Sequence, residues 1–94
     1  MEQEKPSNLV GGTIRKLRVG RQWTQEILTA RCNLAGCDIS RGTLAKIEAE
    51  IRGINDRELI TIAYVFGVEV EALFSDGFVA RLKKQIARKG LPGE

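Results

Sequence analysis

Histidine is absent from this chain of 94 residues, and cysteine occurs only twice, as Cys32 and Cys37. Because histidine is the usual general base and the commonest metal ligand, its absence argues against catalysis and metal chemistry. A structural zinc site usually takes four cysteine or histidine ligands, which two cysteines cannot supply within a monomer. No glycine-rich loop follows a predicted strand, so a nucleotide-binding phosphate cradle is not expected. The sequence therefore predicts no enzyme, no metal and no other cofactor.

Long apolar runs are also missing, since no stretch approaches the roughly 20 residues that span a bilayer. Residues 1–8 are acidic and polar and do not resemble a secretory signal. These absences predict a cytoplasmic protein that does not act in a membrane, and a reducing compartment disfavours a disulfide between the two cysteines. Both cysteines are expected to be small buried residues. The net charge of +3 permits an anionic partner without requiring one.

The apolar residues that are present recur at helical spacing, and no stretch alternates with the period of a strand. We expect one all-α domain of five to six helices. Its predicted parts are a flexible N-terminal leader at 1–9, a helical domain at 10–75, and a basic C-terminal helix and tail at 76–94. The Gly11-Gly12 pair is expected to form a flexible lead-in to a first helix from Thr13 to Val19.

Cap residues locate three further helices. Thr24 is the predicted N-cap of the second helix and Ser40 that of the third, while Asn55 and Glu58 have the spacing of a capping box for the fourth. Short fifth and sixth helices are predicted at Val70 to Phe74 and at Phe78 to about Lys89, the latter capped by Asp76. Glycines are expected to end the second and fourth helices: Gly36 and Gly67.

Three- and four-residue spacing predicts which side chains point inward. In the second helix these are Ile27, Leu28, Cys32 and Leu34. In the third they are Leu44, Ile47 and Ile51. In the fourth they are Leu59, Ile62, Ala63 and Phe66. The opposite face of the third helix has small residues and two cations: Arg41, Gly42, Ala45, Lys46 and Ala49.

The cation at the start of the third helix is the first functional indication. Arg41 lies at the positive end of the helix macrodipole, which is unfavourable unless something negative approaches. A phosphate or the electronegative edge of a guanine would satisfy it. The alternative is an ordinary amphipathic surface helix with a solvated basic face.

Two short helices joined by a turn that contains Gly36 match a helix-turn-helix unit. The chain resembles the lambda-repressor-like, or XRE-type, helix-turn-helix family of bacteria and phages, over roughly Ile14 to Phe74. The resemblance depends on the order and spacing of these pieces: Leu17-Arg18, Arg21, Trp23-Thr24-Gln25-Glu26, Leu28, Ile39-Ser40, Leu44, Ile47-Glu48, Leu59, Ile62-Ala63, Phe66-Gly67-Val68 and Leu73-Phe74. The turn from Cys32 to Ile39 is longer than the family's usual turn and looks like a subgroup with an extended connection.

The resemblance implies sequence-specific binding of double-stranded DNA by a small, repressor-like transcriptional regulator whose third helix enters the major groove. Gln25 would contact a phosphate, Arg41 or Lys46 would read guanine, and Arg52 would touch the DNA backbone. The implied DNA-binding residues are Thr24, Gln25, Ser40, Arg41, Gly42, Thr43, Lys46 and Arg52. Structural alternatives stay open for three of them, because Gln25 would otherwise only cap, Thr43 only support the first turn, and Arg52 only be solvated.

The resemblance also suggests an ion pair between Arg18 and Glu48, which flank the apolar stripes that must meet. A symmetric homodimer on a palindromic operator is expected, with its interface between Val68 and Ile86. No small-molecule ligand is evident. The alternative function is a protein-interaction module on the same fold, such as a toxin-neutralising antitoxin or an adaptor. Basic residues of the last helix could dock a partner or a nucleic-acid backbone: Arg81, Lys83, Lys84, Arg88 and Lys89.

Overall fold

Five α-helices and one short 3-10 helix form the part of the chain that the computed structural model describes, residues 6–74 and 78–89. The elements are α1 (Gly11–Gly20), α2 (Gln25–Leu34), α3 (Arg41–Glu48), α4 (Asp56–Phe66), the 3-10 helix (Val70–Leu73) and α5 (Phe78–Lys89). No strand occurs within the described ranges. The all-α prediction with five to six helices is confirmed at this level, whereas the predicted Asp76 cap lies outside the described residues.

The predicted N-caps of three helices are confirmed. The Thr24 hydroxyl accepts a hydrogen bond from the Ile27 N–H at 3.1 Å, and the Ser40 hydroxyl accepts one from the Thr43 N–H at 3.1 Å. Before α4, the Asn55 side chain and the Glu58 carboxylate each accept from the other residue's backbone N–H, at 2.8 and 3.0 Å. Each cap satisfies amide groups that have no partner within the helix.

Glycine ends α2 and α4 as predicted. Gly36 and Gly67 adopt positive φ angles of 95° and 71°, a region that other residues enter only with strain. Just beyond Gly36, the Cys37 N–H donates to the Cys32 carbonyl at 3.0 Å, the bond that closes a helix in a Schellman motif. The reversal after α2 directs the chain towards the start of α3.

The core lies where α1, α2, α3 and α4 meet. Its buried apolar residues are Val10, Ile14, Leu28, Cys32, Ile39, Leu44, Ile47, Ile62, Ala63, Phe66 and Leu73. Three residues predicted to face inward are exposed instead: Ile27, Leu34 and Ile51. For Ile51 the reason is that α3 ends at Glu48 and the chain turns at Glu50, whose φ is +63°. Ile27 and Leu34 lie on the outer side of α2, and Leu34 lines a shallow surface groove between α2 and α4.

Asn8, which was expected in a loose leader, is buried, so that expectation is wrong for this residue. Its side-chain nitrogen donates to the carbonyls of Ile47 and Arg52 at 3.0 and 2.8 Å. Its side-chain oxygen accepts from the N–H groups of Val10 and Gly11 at 3.0 and 2.7 Å. One side-chain amide therefore binds the beginning of α1, the end of α3 and the loop after α3, which holds these segments together.

The prediction of a flexible glycine lead-in is also wrong, because Gly11 and Gly12 are the first two residues of α1. A Cβ on Gly11 would lie 2.0 Å from the Ile47 carbonyl oxygen. That distance is far inside van der Waals contact, so the helix start packs directly on the α3 backbone. The first helix is consequently longer than the predicted Thr13 to Val19 and runs from Gly11 to Gly20.

Candidate nucleic-acid interface

The N-terminal ends of α2 and α3 are joined on the surface by an ion pair. The Nε of Arg41, the first residue of α3, lies 3.1 Å from Oε2 of Glu26, the second residue of α2. Their side chains are 65% and 67% exposed, so the pair is in contact with solvent. The side chains of the first turns of α2 and α3 therefore meet on one surface.

The outward side of α3 presents the residues that the sequence singled out. Gly42 and Lys46 are one turn apart and both are exposed, whereas Leu44, Ile47 and Glu48 face the core. An added Cβ at Gly42 would meet nothing closer than the Ser40 hydroxyl at 4.0 Å. This side of α3 is therefore flat at Gly42 and cationic at Lys46. We use the name α2–α3 surface for the set Thr24, Gln25, Ser40, Arg41, Gly42, Thr43 and Lys46.

The predicted ion pair between Arg18 and Glu48 is confirmed and lies beneath this surface. Nε and Nη2 of Arg18 donate to the two carboxylate oxygens of Glu48 at 2.7 and 2.9 Å. The two side chains are only 12% and 3% exposed. The hydrogen bond to Glu48 raises the pKa of Arg18 further above its ordinary value, although burial acts in the opposite direction. The pair joins α1 to α3.

Gln25, the first residue of α2, belongs to the same network. Its side-chain nitrogen donates to Oε1 of Glu48 at 3.1 Å, and the remaining guanidinium nitrogen of Arg18 donates to the Trp23 carbonyl at 2.8 Å. The side chain of Gln25 thus has a structural role that differs from the predicted capping alternative. Because one carboxylate holds α1, α2 and α3, the start of α2 is fixed relative to α3.

Ser40 and Thr43 satisfy each other at the start of α3. The Ser40 hydroxyl donates to the Thr43 hydroxyl at 3.0 Å while it accepts from the Thr43 N–H. Thr43 therefore supports the first turn of α3, as its structural alternative predicted. Both hydroxyl groups lie at the edge of the α2–α3 surface, since Ser40 is exposed and Thr43 is half-buried.

Arg52 does not lie free in solvent, so that alternative is wrong. Its guanidinium donates to both carboxylate oxygens of Glu58 at 3.0 and 3.2 Å and to the Gly53 carbonyl at 2.8 Å. Burial raises the pKa of Glu58, but the hydrogen bonds from Arg52 and the Asn55 N–H outweigh it and lower the pKa overall. Arg52 therefore fixes the loop after α3 onto the start of α4, and its contact with DNA stays a prediction.

An arginine-flanked aromatic stack borders α2 and was not predicted. The rings of Trp23 and Phe66 are parallel within 9°, with centroids 5.5 Å apart. The Cζ atom of Arg31 lies 4.3 Å from the Trp23 ring, and that of Arg21 lies 5.4 and 5.1 Å from the Trp23 and Phe66 rings. Phe66 is 43 positions away from Trp23 in the sequence, so no local spacing indicates the stack.

A second exposed feature is the α2–α4 groove, which we define by Arg31, Leu34, Ala35, Ile60 and Tyr64. Leu34 is 90% exposed and Tyr64 76% exposed. Apolar side chains that are this exposed and contiguous are typical of surfaces that contact another molecule.

Within the described part of the chain, no three cysteine, aspartate or glutamate side chains lie close enough together to bind a metal ion. Both cysteines are free thiols, Cys32 buried and Cys37 half-buried. Burial raises the pKa of Cys32 to about 11, with a smaller contribution from Cys37. A thiol with that pKa is protonated at neutral pH and is a poor nucleophile.

Comparisons with protein-family models, curated proteins and solved structures gave no match to this chain. Over residues 6–74 and 78–89, no helix has both the length and the apolar character that crossing a membrane requires.

Proposed function

We propose that this protein is a cytoplasmic, lambda-repressor-like helix-turn-helix regulator that binds double-stranded DNA in a sequence-specific manner. The observation that supports this function best is the α2–α3 surface. It places the exposed start of one helix beside the first turn of another, over a network that fixes their relative positions. A rigid helix with an exposed polar and cationic side is what readout in the major groove requires.

In this function α3 lies in the major groove. Gly42 has no side chain, which lets the helix backbone approach the base edges closely. Arg41 and Lys46 donate to guanine O6 and N7, while Ser40 and Thr43 lie beside the sugar–phosphate backbone. Thr24, Gln25 and the N–H groups of the first turn of α2 contact a phosphate. Arg52 adds a backbone contact from the loop that it holds against α4.

We further propose a symmetric homodimer on a palindromic site. One recognition helix contacts only a few base pairs. Two such helices, spaced by one DNA turn of about 34 Å, contact twice as many and so distinguish the operator better from other DNA sequences. Leu82 and Ile86 of α5 are exposed, and Val70 and Phe74 are half-buried, so the chain after α4 offers apolar area for an interface.

The dimer is tested by light scattering on the full chain and on a truncation after Asp76. The full chain should be dimeric and the truncation monomeric. A full chain that stays monomeric on its operator would exclude the dimer, and a truncation that stays dimeric would move the interface to residues before Gly77.

DNA binding is tested by selection from random duplexes with the full chain. We expect enrichment of a short palindrome. Arg41→Ala and Lys46→Ala should each relax the preference at one base pair per half-site, whereas the control Arg57→Ala removes an exposed cation of α4 and should leave the preferences unchanged. Enrichment of no sequence would exclude the proposed function.

The α2–α4 groove supports one alternative, a protein-interaction module such as an antitoxin or an adaptor. Its exposed Leu34 and Tyr64 are the kind of side chains that a protein partner buries. If this alternative holds, Leu34→Glu should abolish binding of a partner that the native chain retains, while Arg41→Ala should not. The reverse result would favour DNA binding.

A further inference from the structure

The ion pair on the α2–α3 surface points to a specificity-determining residue that the sequence did not reveal. We propose that Glu26 positions Arg41 for end-on recognition of a guanine and thereby sets base preference at that position. This inference rests on the proposed DNA-binding function. Glu26 does not itself contact the base in this arrangement; it acts through Arg41.

The geometry of the contact determines which Arg41 donors remain for DNA. Oε2 of the Glu26 carboxylate lies 3.1 Å from Nε of Arg41, so the ion pair is formed on the Nε side of the guanidinium. Among the described residues, no other side chain or carbonyl forms a hydrogen bond or ion pair with Arg41. Both terminal nitrogens, Nη1 and Nη2, are therefore left for a planar acceptor pair. Guanine O6 and N7 form such a pair on the major-groove edge, and a bidentate arginine contact there is the most common specific one.

The electrostatics explain why Arg41 needs a fixed partner. Arg41 occupies the first position of α3, where the helix macrodipole repels a cation, so the guanidinium has no local reason to stay at this end. Glu26 occupies the first turn of α2, where a carboxylate is favoured. Since an arginine side chain loses considerable rotamer freedom when it binds, prior orientation by Glu26 reduces that loss for the correct base.

A carboxylate on a DNA-binding surface also lowers the overall affinity for DNA. Glu26 repels nearby phosphates on every DNA sequence, so it weakens non-specific binding. An exposed ion pair also adds little to folding stability. Glu26 therefore lowers the affinity for all DNA sequences but increases the difference in affinity between the correct base and the others. Such a difference is what specificity consists of.

The experiment compares the full native chain with Glu26→Gln on the selected operator and on a variant operator. The variant operator is changed at the base pair whose preference Arg41→Ala relaxes. The ratio of the two dissociation constants should fall about five- to tenfold in Glu26→Gln, which is the lower part of the range for a bidentate arginine–guanine contact. Affinity for random duplex DNA should rise, because one negative charge is removed.

Two controls separate positioning from a general charge effect. Asp56→Asn removes an exposed carboxylate from the first turn of α4 and should leave the ratio of dissociation constants unchanged. In an Arg41→Ala background, Glu26→Gln should have no further effect on that ratio, because the residue that it positions is gone. Matching thermal midpoints would show that all variants are folded.

The possible failures are distinguishable. If the native chain prefers no sequence, the proposed function itself is wrong and the role of Glu26 falls with it. If the native chain discriminates but Glu26→Gln discriminates equally well, only the positioning role is overturned. An additive loss in the double variant would also overturn it, because Glu26 would then act independently of Arg41.

Discussion

Arg18 and Glu48 form a bidentate ion pair with N–O distances of 2.7 and 2.9 Å. The pair connects the last turn of α1 to the end of α3. The same carboxylate accepts from Gln25, and the same guanidinium donates to the Trp23 carbonyl. These contacts connect three helices beneath the α2–α3 surface. The proposed DNA-binding surface is therefore rigid because of charges that do not themselves reach the DNA.

Glu48→Ala should lower the free energy of unfolding by about 3 kcal/mol, because it leaves the half-buried Arg18 guanidinium without its partner. Urea denaturation followed by circular dichroism measures this. Glu26→Ala is the control, since it breaks an exposed ion pair and should change the stability by less than about 0.5 kcal/mol. Equal effects in the two variants would contradict a structural role for the Arg18–Glu48 pair.

Gly11→Ala should destabilise the protein by about 2 kcal/mol or more, because the new methyl group would collide with the Ile47 carbonyl and force α1 away from α3. Gly20→Ala is the matched change at the other end of α1, where nothing lies within 4 Å of the added Cβ. It should stabilise the helix by about 0.5–1 kcal/mol. Thermal unfolding of both variants decides whether the start of α1 is tightly packed.

Gly42→Ala should weaken DNA binding without lowering the stability of the fold. The methyl group projects into open space, so the variant should be as stable as the native chain or more stable by up to about 1 kcal/mol. If α3 lies in the major groove, the same methyl group should weaken operator binding by about 1–3 kcal/mol through crowding. Gly20→Ala serves again as the control and should bind normally. Unchanged binding by Gly42→Ala would contradict close approach at this point of α3.

Glu58 should make the protein sensitive to acid. Its pKa in the folded chain lies below the ordinary value of 4.5, so the unfolded chain binds more protons between the two values. Its stabilising contribution is therefore complete above about pH 4.5 and is lost as the pH falls through the lower folded-state pKa. As the pH is lowered from 7 to 3, the denaturation midpoint should fall less steeply in Glu58→Gln than in the native chain. The same should hold for Arg52→Gln, which removes the partner of Glu58. A native-like slope in both variants would contradict this assignment.

The sequence by itself determined the features that depend on near neighbours. Thr24, Ser40 and the Asn55–Glu58 pair are caps because their side chains reach amide groups three residues away, a distance that spacing alone fixes. Glycine is required at residues 36 and 67 because the local φ is positive. The inward face of α4 followed from an unbroken three- and four-residue period.

Features that involve distant segments were decided by the tertiary structure. Periodicity predicted Ile51 as buried, but α3 ends at Glu48 and the chain turns at Glu50. Asn8 binds the carbonyls of Ile47 and Arg52, on either side of this turn, from 39 and 44 positions away. No local spacing predicts the Glu26–Arg41 pair. The two residues meet only because α2 and α3 pack together. The Arg18–Glu48 pair was predicted through a family resemblance rather than from local spacing.

The physical reason is the range of the interactions. Caps and glycine turns are satisfied within about one helical turn, so the residue types required there can be read in order along the chain. Burial, close backbone contact and ion pairing depend on which surfaces meet after collapse, and small details such as the missing Cβ of Gly11 decide how closely they meet. The sequence thus determined where α2, α3 and α4 begin, and the packing determined where α1 begins and which side chains were left at the α2–α3 surface.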